Sequence, residues 1–229
     1  MPRLLVHVEG QTEENFVNVI LQGHLLGIGY ESVSARIVGN ARLRQKRGGI
    51  RSWHSVRKDI INHLRQDVGC TATTMVDFYG LPQDGEGAWP GRVEAIHADP
   101  ENKASFVEEA LLADLADEFG PGFDRSRFVP FVVVHEFEGL LFSDCAAFAR
   151  GIARTELEAH FTVIKNAFQT PEHINDSPIT CPSRRVKDLV PEYETPILGT
   201  LAALEITLKR IRTECPHFDR WLERLESLA

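Results

Sequence analysis

The chain has 229 residues, of which 43% are hydrophobic and 25% charged, and a formal net charge of −8. These values are typical of one large globular domain, or of one domain with an appendage, and they exclude a disordered or low-complexity protein. No run of residues approaches the ~18–20 apolar positions that a membrane-spanning helix requires. Because the first residues also lack the features of a secretion signal, we expect no membrane association.

The four cysteines indicate a reducing compartment. Cys70, Cys145, Cys181 and Cys215 lie far apart and include no C-x-x-C pair. This spacing is typical of reduced, packed thiols and does not suggest a disulfide framework or a zinc site. We therefore expect a cytoplasmic protein.

Basic residues are concentrated in one window. No acidic residue lies between Glu31 and Asp59, and that window contains Arg36, Arg42, Arg44, Lys46, Arg47, Arg51, Arg57 and Lys58. Without these eight of the 25 cations, 17 remain against 33 acids, so the rest of the chain has a charge of −16. Such a window either attracts a polyanion or forms a solvated loop and helix face. If it attracts a polyanion, we expect it to face the acidic site described below.

Strands and helices are predicted to alternate through the first two thirds of the chain. Apolar runs predict strands at 3–8, 32–38, 71–78 and 128–134. Amphipathic patterns predict helices from Thr12 onwards, at 53–68 and at 104–119, and a loop rich in Gly and Pro covers 80–91. This alternation favours an α/β fold with a mostly parallel sheet of about four strands and helices on both faces.

The last third has a different pattern. From about Cys145 there is no comparably apolar strand, and helical patterns occupy 154–168, 196–212 and 216–228. A connector rich in Pro, Ser and Arg covers 175–185. We predict an α/β domain at 1–144 and, at 145–229, a helical extension packed on it.

Acidic residues follow three of the predicted strands. Glu9 follows the first, Asp77 ends the third, and Glu136 and Glu138 follow the last. Ligands of open α/β sheets bind outside the carboxyl ends of the strands, so these acids should converge there. Because residues i and i+2 of a strand share a side, Glu136 and Glu138 should point the same way. Clustered carboxylates repel one another, and Mg²⁺ or Mn²⁺ would relieve that repulsion.

Structural interpretations of the same residues remain open. Glu13 and Glu14 lie in the first turn of a predicted helix, where the helix dipole stabilises acids in any case. Asp77 could simply start a turn, because Tyr-Gly-Leu-Pro follows it. His135 is more typical of a structural residue than of a catalytic base.

Several segments resemble known families. The segment at 8–16, VEGQTEENF, is similar to the V-E-G-x-T-E-x-x-F opening of the Toprim-type domains found in OLD-type nucleases, primases and topoisomerases. The chain resembles one family more closely and over nearly its whole length, namely domain-of-unknown-function family 4276, a bacterial Toprim-like family. The segments that carry this resemblance are TMVDFYGLP at 74–82, HEFEGLLFSD at 135–144, INDSP at 174–178 and PSRR at 182–185.

The resemblance implies a Toprim-like, mostly parallel sheet flanked by helices. It also implies a strand-end glutamate, here Glu9, and an acidic metal ligand, here Asp77. The Toprim D-x-D pair is not intact, since Tyr79 stands two residues after Asp77. Two-metal chemistry would therefore require Asp84, or the Glu136/Glu138 pair, to replace the missing acid.

Two functions follow from these patterns. The first is a metal-dependent phosphodiesterase acting on DNA or RNA, with Glu9 and Glu13 as catalytic residues and Asp77, Glu136 and Glu138 as metal ligands. Its phosphate-binding residues would be Arg42, Arg44, Lys46, Arg47, Arg184 and Arg185. Toprim relatives further imply an ATPase partner and a role in phage defence. The alternative, favoured by Tyr79, is a non-catalytic module that binds nucleic acid or a partner ATPase.

Overall fold

The structure is a computed structural model that describes residues 2–38, 50–99, 102–174 and 180–229. The α/β part comprises the strands β1 (Arg3–Val8), β2 (Ser32–Ile37), β3 (Cys70–Asp77), β4 (Phe128–Val129) and β5 (Val132–Val133). Its first helix runs as α1 (Gln11–Phe16), a π-helical turn (Val17–Leu21) and α2 (Gln22–Ile28), and it is followed by α3 (Trp53–Gln66) and α4 (Lys103–Phe119).

The strands form one parallel sheet. Its order is β2-β1-β3-β4, and β5 also pairs with β3. Val8, the last residue of β1, lies between Ile37 of β2 and Met75 of β3. The carboxyl ends of the three long strands therefore meet at one edge, which we call the carboxyl edge. The predicted α/β class and the parallel sheet are confirmed.

The predicted strand at 128–134 is interrupted in its middle. Pro130 has no amide hydrogen to donate to the sheet, and the chain leaves the ladder at Pro130 and Phe131. The Thr74 hydroxyl accepts the Phe131 N–H at 2.9 Å and donates to the Phe131 carbonyl at 2.9 Å. The neighbouring Thr73 hydroxyl donates to the Val129 carbonyl. Two hydroxyls of β3 thus satisfy buried backbone groups at the break.

Thr74→Val should lower the free energy of unfolding by about 1–3 kcal/mol, because it leaves the Phe131 N–H and carbonyl buried without their partner. Urea unfolding monitored by circular dichroism measures this change. The control is Thr71→Val on the same strand, since the Thr71 hydroxyl makes no hydrogen bond with the residues that the structure describes. Equal losses in the two variants would contradict a bridging role for Thr74.

In the last third, helices are the regular elements of the residues that the structure describes, and turns and irregular segments connect them. Its helices are α5 (Glu138–Leu141), α6 (Cys145–Gly151), α7 (Glu158–Asn166), α8 (Pro182–Leu189), α9 (Thr200–Ile206), α10 (Leu208–Glu214) and α11 (Pro216–Glu226). The predicted helix at 196–212 is a π-helical turn followed by two helices that part at Thr207, whose φ is 73°. No helix in the described part of the chain is long and apolar enough to cross a membrane.

Two apolar cores lie on opposite faces of the sheet. Leu4, Val6 and Val8 of β1 share a core with the first helix and with residues of α6, α9 and α11. Ala72 and Val76 of β3 share the second core with α3 and α4. The C-terminal helices therefore pack directly on one face of the sheet. The division into parts at 1–144 and 145–229 stays a prediction.

Candidate functional site

Glu9 and Asp77 lie side by side at the carboxyl edge. Each is at the end of one of two neighbouring parallel strands, and the Asp77 N–H donates to Glu9 Oε2 at 3.2 Å. The turn after β3 also closes on Glu9, because a Cβ placed on Gly80 would lie 2.7 Å from Glu9 Oε2. The structure thus brings together the two acids at the ends of β1 and β3.

Glu13 approaches the same edge from the first turn of α1. Its Oε2 accepts the Gly10 N–H at 2.9 Å, so one oxygen caps the start of α1. The side chain is nevertheless buried. Burial, together with the charges of Glu9 and Glu138, raises the pKa of Glu13 to about 7 against the effect of its backbone hydrogen bonds. Glu13 is therefore a buried acid of this edge of the sheet as well as a helix cap.

Glu136 and Glu138 reach the site by a different route from the predicted one. β5 ends at Val133, the chain turns at His135 with a φ of 69°, and Glu138 is the first residue of α5. The prediction that the two glutamates share one side of a strand end is therefore wrong. The Ser183 N–H at the start of α8 donates to Glu136 Oε2 at 3.0 Å, and the Thr195 hydroxyl donates to Glu138 Oε1 at 2.6 Å.

The five acids Glu9, Glu13, Asp77, Glu136 and Glu138, hereafter the carboxylate cluster, share one electrostatic field. Burial raises the pKa of Asp77 well above its usual value, and the charges of the other four acids raise it further. Burial and the charge of Glu136 also raise the pKa of Glu9, and the hydrogen bond from the Asp77 N–H lowers it by a smaller amount. For Glu138, burial raises the pKa and the Thr195 hydrogen bond lowers it.

The donor set fits a hard divalent cation. Asp77 Oδ1 is buried and has no hydrogen-bond partner among the described residues, a costly state for a carboxylate oxygen. Carboxylate oxygens are the ligands that Mg²⁺ and Mn²⁺ prefer. Across residues 2–38, 50–99, 102–174 and 180–229, however, no three Asp, Glu, His or Cys side chains stand in a ready metal-binding arrangement. Metal binding therefore requires the carboxylates of the cluster to turn towards a common point.

Two residues after Asp77 the chain has an aromatic side chain in place of an acid. Tyr79 stacks on His135 with ring centroids 5.3 Å apart and an interplanar angle of 24°. Asp84 is exposed in the loop that follows. The acids whose charges act on Asp77 are, in decreasing order of effect, Glu13, Glu9, Glu138 and Glu136.

The four predicted phosphate-binding residues Arg42, Arg44, Lys46 and Arg47 lie outside the described residues. Both flanks of their segment are fixed. The Val38 N–H donates to the Val8 carbonyl at 2.9 Å, next to Glu9, and the Trp89 indole donates to the Arg51 carbonyl at 3.0 Å. Val38 therefore lies at the carboxyl edge, and Arg51 lies beside the loop that follows Asp77.

Other cations of the basic window have acidic partners within the fold. Arg36 and Arg51 lie 3.8 and 4.0 Å from Asp59. Arg57 lies 2.8 Å from Asp114 and 3.2 Å from Glu118, both on α4. The ion pairs of these three residues agree with the interpretation of the basic window as a solvated loop and helix face. That the central part of the window faces the carboxylate cluster stays a prediction.

Helix α8 carries the other predicted phosphate-binding residues. Arg184 is paired with Asp188 at 2.9 Å. Arg185 donates to the Thr180 carbonyl at 2.6 Å, and its guanidinium lies 5.6 Å from the centre of the Phe168 ring. Lys187, which sequence reasoning missed, is the α8 cation whose charge lowers the pKa of Glu138. Its only signal in the sequence is its position one helical turn after Ser183.

Fold and site together define an α/β protein with a buried carboxylate cluster at the carboxyl edge of a parallel sheet. A family model described as Domain of unknown function (DUF4276) matches residues 8–226. The chain belongs to this family. No curated protein and no solved structure matches the chain. The relationship to Toprim-type domains stays a prediction.

Proposed function

We propose that the carboxylate cluster binds Mg²⁺ or Mn²⁺ and that the protein is a metal-dependent phosphodiesterase that cleaves DNA or RNA. The observation that carries the proposal is the state of Asp77. Its Oδ1 is buried without a partner, beside Glu9 and within the field of three further glutamates. A cation with oxygen ligands would give the buried Asp77 oxygen a partner and would also offset the repulsion among the carboxylates.

The residues of the cluster divide into two roles in this proposal. Asp77, Glu9, Glu136 and Glu138 hold the cation, which when bound would polarise a phosphate and activate water. Glu13, whose Oε2 accepts the Gly10 N–H, would accept a proton from the attacking water. The hydrogen bonds from Ser183 and Thr195 orient Glu136 and Glu138.

Nucleic acid is the proposed substrate because of the charge distribution. A body with a charge of −16 repels a polyanion unless a basic segment lies near the site. Both flanks of the segment with Arg42, Arg44, Lys46 and Arg47 are anchored around the carboxyl edge. An ATPase partner and a role in phage defence rest on the Toprim resemblance alone and extend the proposal.

The proposal is tested by incubating the purified chain with end-labelled single-stranded and duplex DNA and RNA, in Mn²⁺, in Mg²⁺ and in EDTA. We expect cleavage in Mn²⁺ that EDTA abolishes. Tight binding of nucleic acid without cleavage would instead support the non-catalytic module, which Tyr79 at the position of the second acid favours. Neither binding nor cleavage would overturn the proposal.

Gly80→Ala should weaken Mn²⁺ binding by about 10-fold or more, as changes around metal ligands typically do. The new Cβ would lie 2.7 and 2.9 Å from the two carboxylate oxygens of Glu9, which would have to move. Isothermal titration calorimetry measures the affinity. The control is Gly87→Ala in the same loop, where the nearest atoms are 3.8 Å away and the new Cβ fits. An unchanged affinity for Gly80→Ala would show that Glu9 is not a ligand.

A further inference from the structure

Helix α8 is attached to the carboxylate cluster at its first turn. The Ser183 N–H donates to Glu136 Oε2 at 3.0 Å. Pro182 precedes it at the start of the helix, where its missing N–H and fixed φ suit a first helical residue. The position of α8 relative to the metal-binding acids is therefore set by a direct hydrogen bond.

Lys187 lies on the face of α8 that bears this hydrogen bond. Residues four apart in a helix are neighbours on its surface, so Lys187 lies on the same face of α8 as Ser183, one turn further along. Side chains of a helix lean towards its N-terminus, so the Lys187 side chain leans towards the end of α8 that bonds Glu136. The side chain is exposed, and it forms no hydrogen bond or ion pair with the described residues.

The other two cations of α8 are already engaged. Arg184 is paired with Asp188, and Arg185 is held by the Thr180 carbonyl and the Phe168 ring. Lys187 therefore combines a position beside the cluster with an ammonium group that keeps its donors available. A lysine of this kind acts as a mobile point charge for a phosphate.

We propose that Lys187 binds the substrate phosphate at the carboxylate cluster and is the phosphate-binding residue of α8, in place of Arg184 and Arg185. The inference rests on the proposed function, because it takes nucleic acid as the substrate. A phosphate brought to five carboxylates meets strong repulsion, which the metal offsets only in part. Lys187 supplies a positive charge on the helix that bonds Glu136.

The test compares Lys187→Ala, Lys187→Arg and the control Lys209→Ala, which removes an exposed lysine of α10. Binding of a fluorescent single-stranded oligonucleotide with phosphorothioate linkages is measured by anisotropy at several salt concentrations, in Mn²⁺ and in EDTA. Lys187→Ala should bind about 10-fold more weakly, with a salt slope lower by about one. Lys187→Arg should retain most of the affinity, and Lys209→Ala should match the wild type.

Equal affinities for Lys187→Ala, Lys209→Ala and the wild type would overturn the inference, as would a wild type that binds no oligonucleotide. Mn²⁺ binding to each variant, measured by calorimetry, separates this result from a failure of the proposed function. Lys187→Ala should bind Mn²⁺ at least as tightly as the wild type, because a neighbouring positive charge is removed. A wild type that binds no Mn²⁺ would overturn the proposed function, while the oligonucleotide comparison would still decide the role of Lys187.

Discussion

Asp77→Asn and Glu9→Gln should each reduce Mn²⁺-dependent cleavage by at least about 100-fold, the scale of losses seen when one preorganised electrostatic group is removed from an active site. Asp77 has a buried carboxylate oxygen without a partner among the described residues, and the charges of all four other acids act on it. Glu9 touches it directly through the Asp77 N–H. Single-turnover cleavage of a labelled oligonucleotide measures the loss.

The same change at Asp77 should stabilise the metal-free protein. Replacing a buried, repelled carboxylate by an amide removes its charge, and a gain of about 1 kcal/mol would raise the melting temperature by roughly 2–4 °C in a chain of this size. Opposite changes in activity and stability distinguish a metal ligand from a structural acid. The control is Glu14→Gln, since the carboxylate of this neighbouring acid accepts, among the described residues, only the Gln11 side chain at 2.7 Å. Activity retained in Asp77→Asn would contradict the proposed role.

The second large effect is a loss of stability with rising pH in the metal-free protein. The pKa of Glu13 rises from its usual 4.5 to about 7 in the folded chain, so the folded state binds more protons than the unfolded state between these values. Glu13 therefore contributes stability that is fully present below pH 4.5 and is lost as the pH rises through about 7. The raised pKa values of Asp77, Glu9 and Glu138 act with the same sign.

The rise in the pKa of Glu13 corresponds to a loss on the order of 3 kcal/mol in the free energy of unfolding, or roughly 6–12 °C in melting temperature. Thermal unfolding in EDTA between pH 4.5 and 8 measures the decline, and saturating Mn²⁺ should reverse it at the upper end. In Glu13→Gln/Asp77→Asn the slope should flatten. What remains reports other groups. Burial lowers the pKa of His7 to about 3, which opposes the decline below pH 6.5, and Glu108 raises the pKa of His217 against the effect of burial. Identical pH profiles for this variant and the wild type in EDTA would contradict the account.

Much of the fold could be predicted because local patterns and topology agree. Apolar strands alternate with one-sided helices, and α3 begins at Trp53 as its pattern indicates. The break in the last strand has a local signal in Pro130, which the strongly apolar pattern around it concealed. The hydroxyls of Thr73 and Thr74 that satisfy the backbone at the break lie on another strand and could not be assigned from the sequence. The separation of α9 from α10 at Thr207 has no local signal.

The candidate site divides in the same way. The contact of Glu9 with Asp77 follows from two parallel strands that end at one edge, which the sequence pattern is enough to predict. Glu136 and Glu138 reach the cluster through a turn at His135 and through hydrogen bonds from the C-terminal helices, so periodicity along the strand gave a wrong reason. Gly80 and Lys187 gain their meaning only from tertiary contacts.

The most direct measurement is an anomalous difference map from crystals soaked in Mn²⁺. The account predicts a peak at the carboxyl edge that is bound by Asp77 together with Glu9, Glu136 or Glu138, and that is absent from crystals of Asp77→Asn. Fully occupied Mn²⁺ elsewhere on the protein, with the carboxylate cluster empty and Asp77 Oδ1 still without a partner, would contradict it.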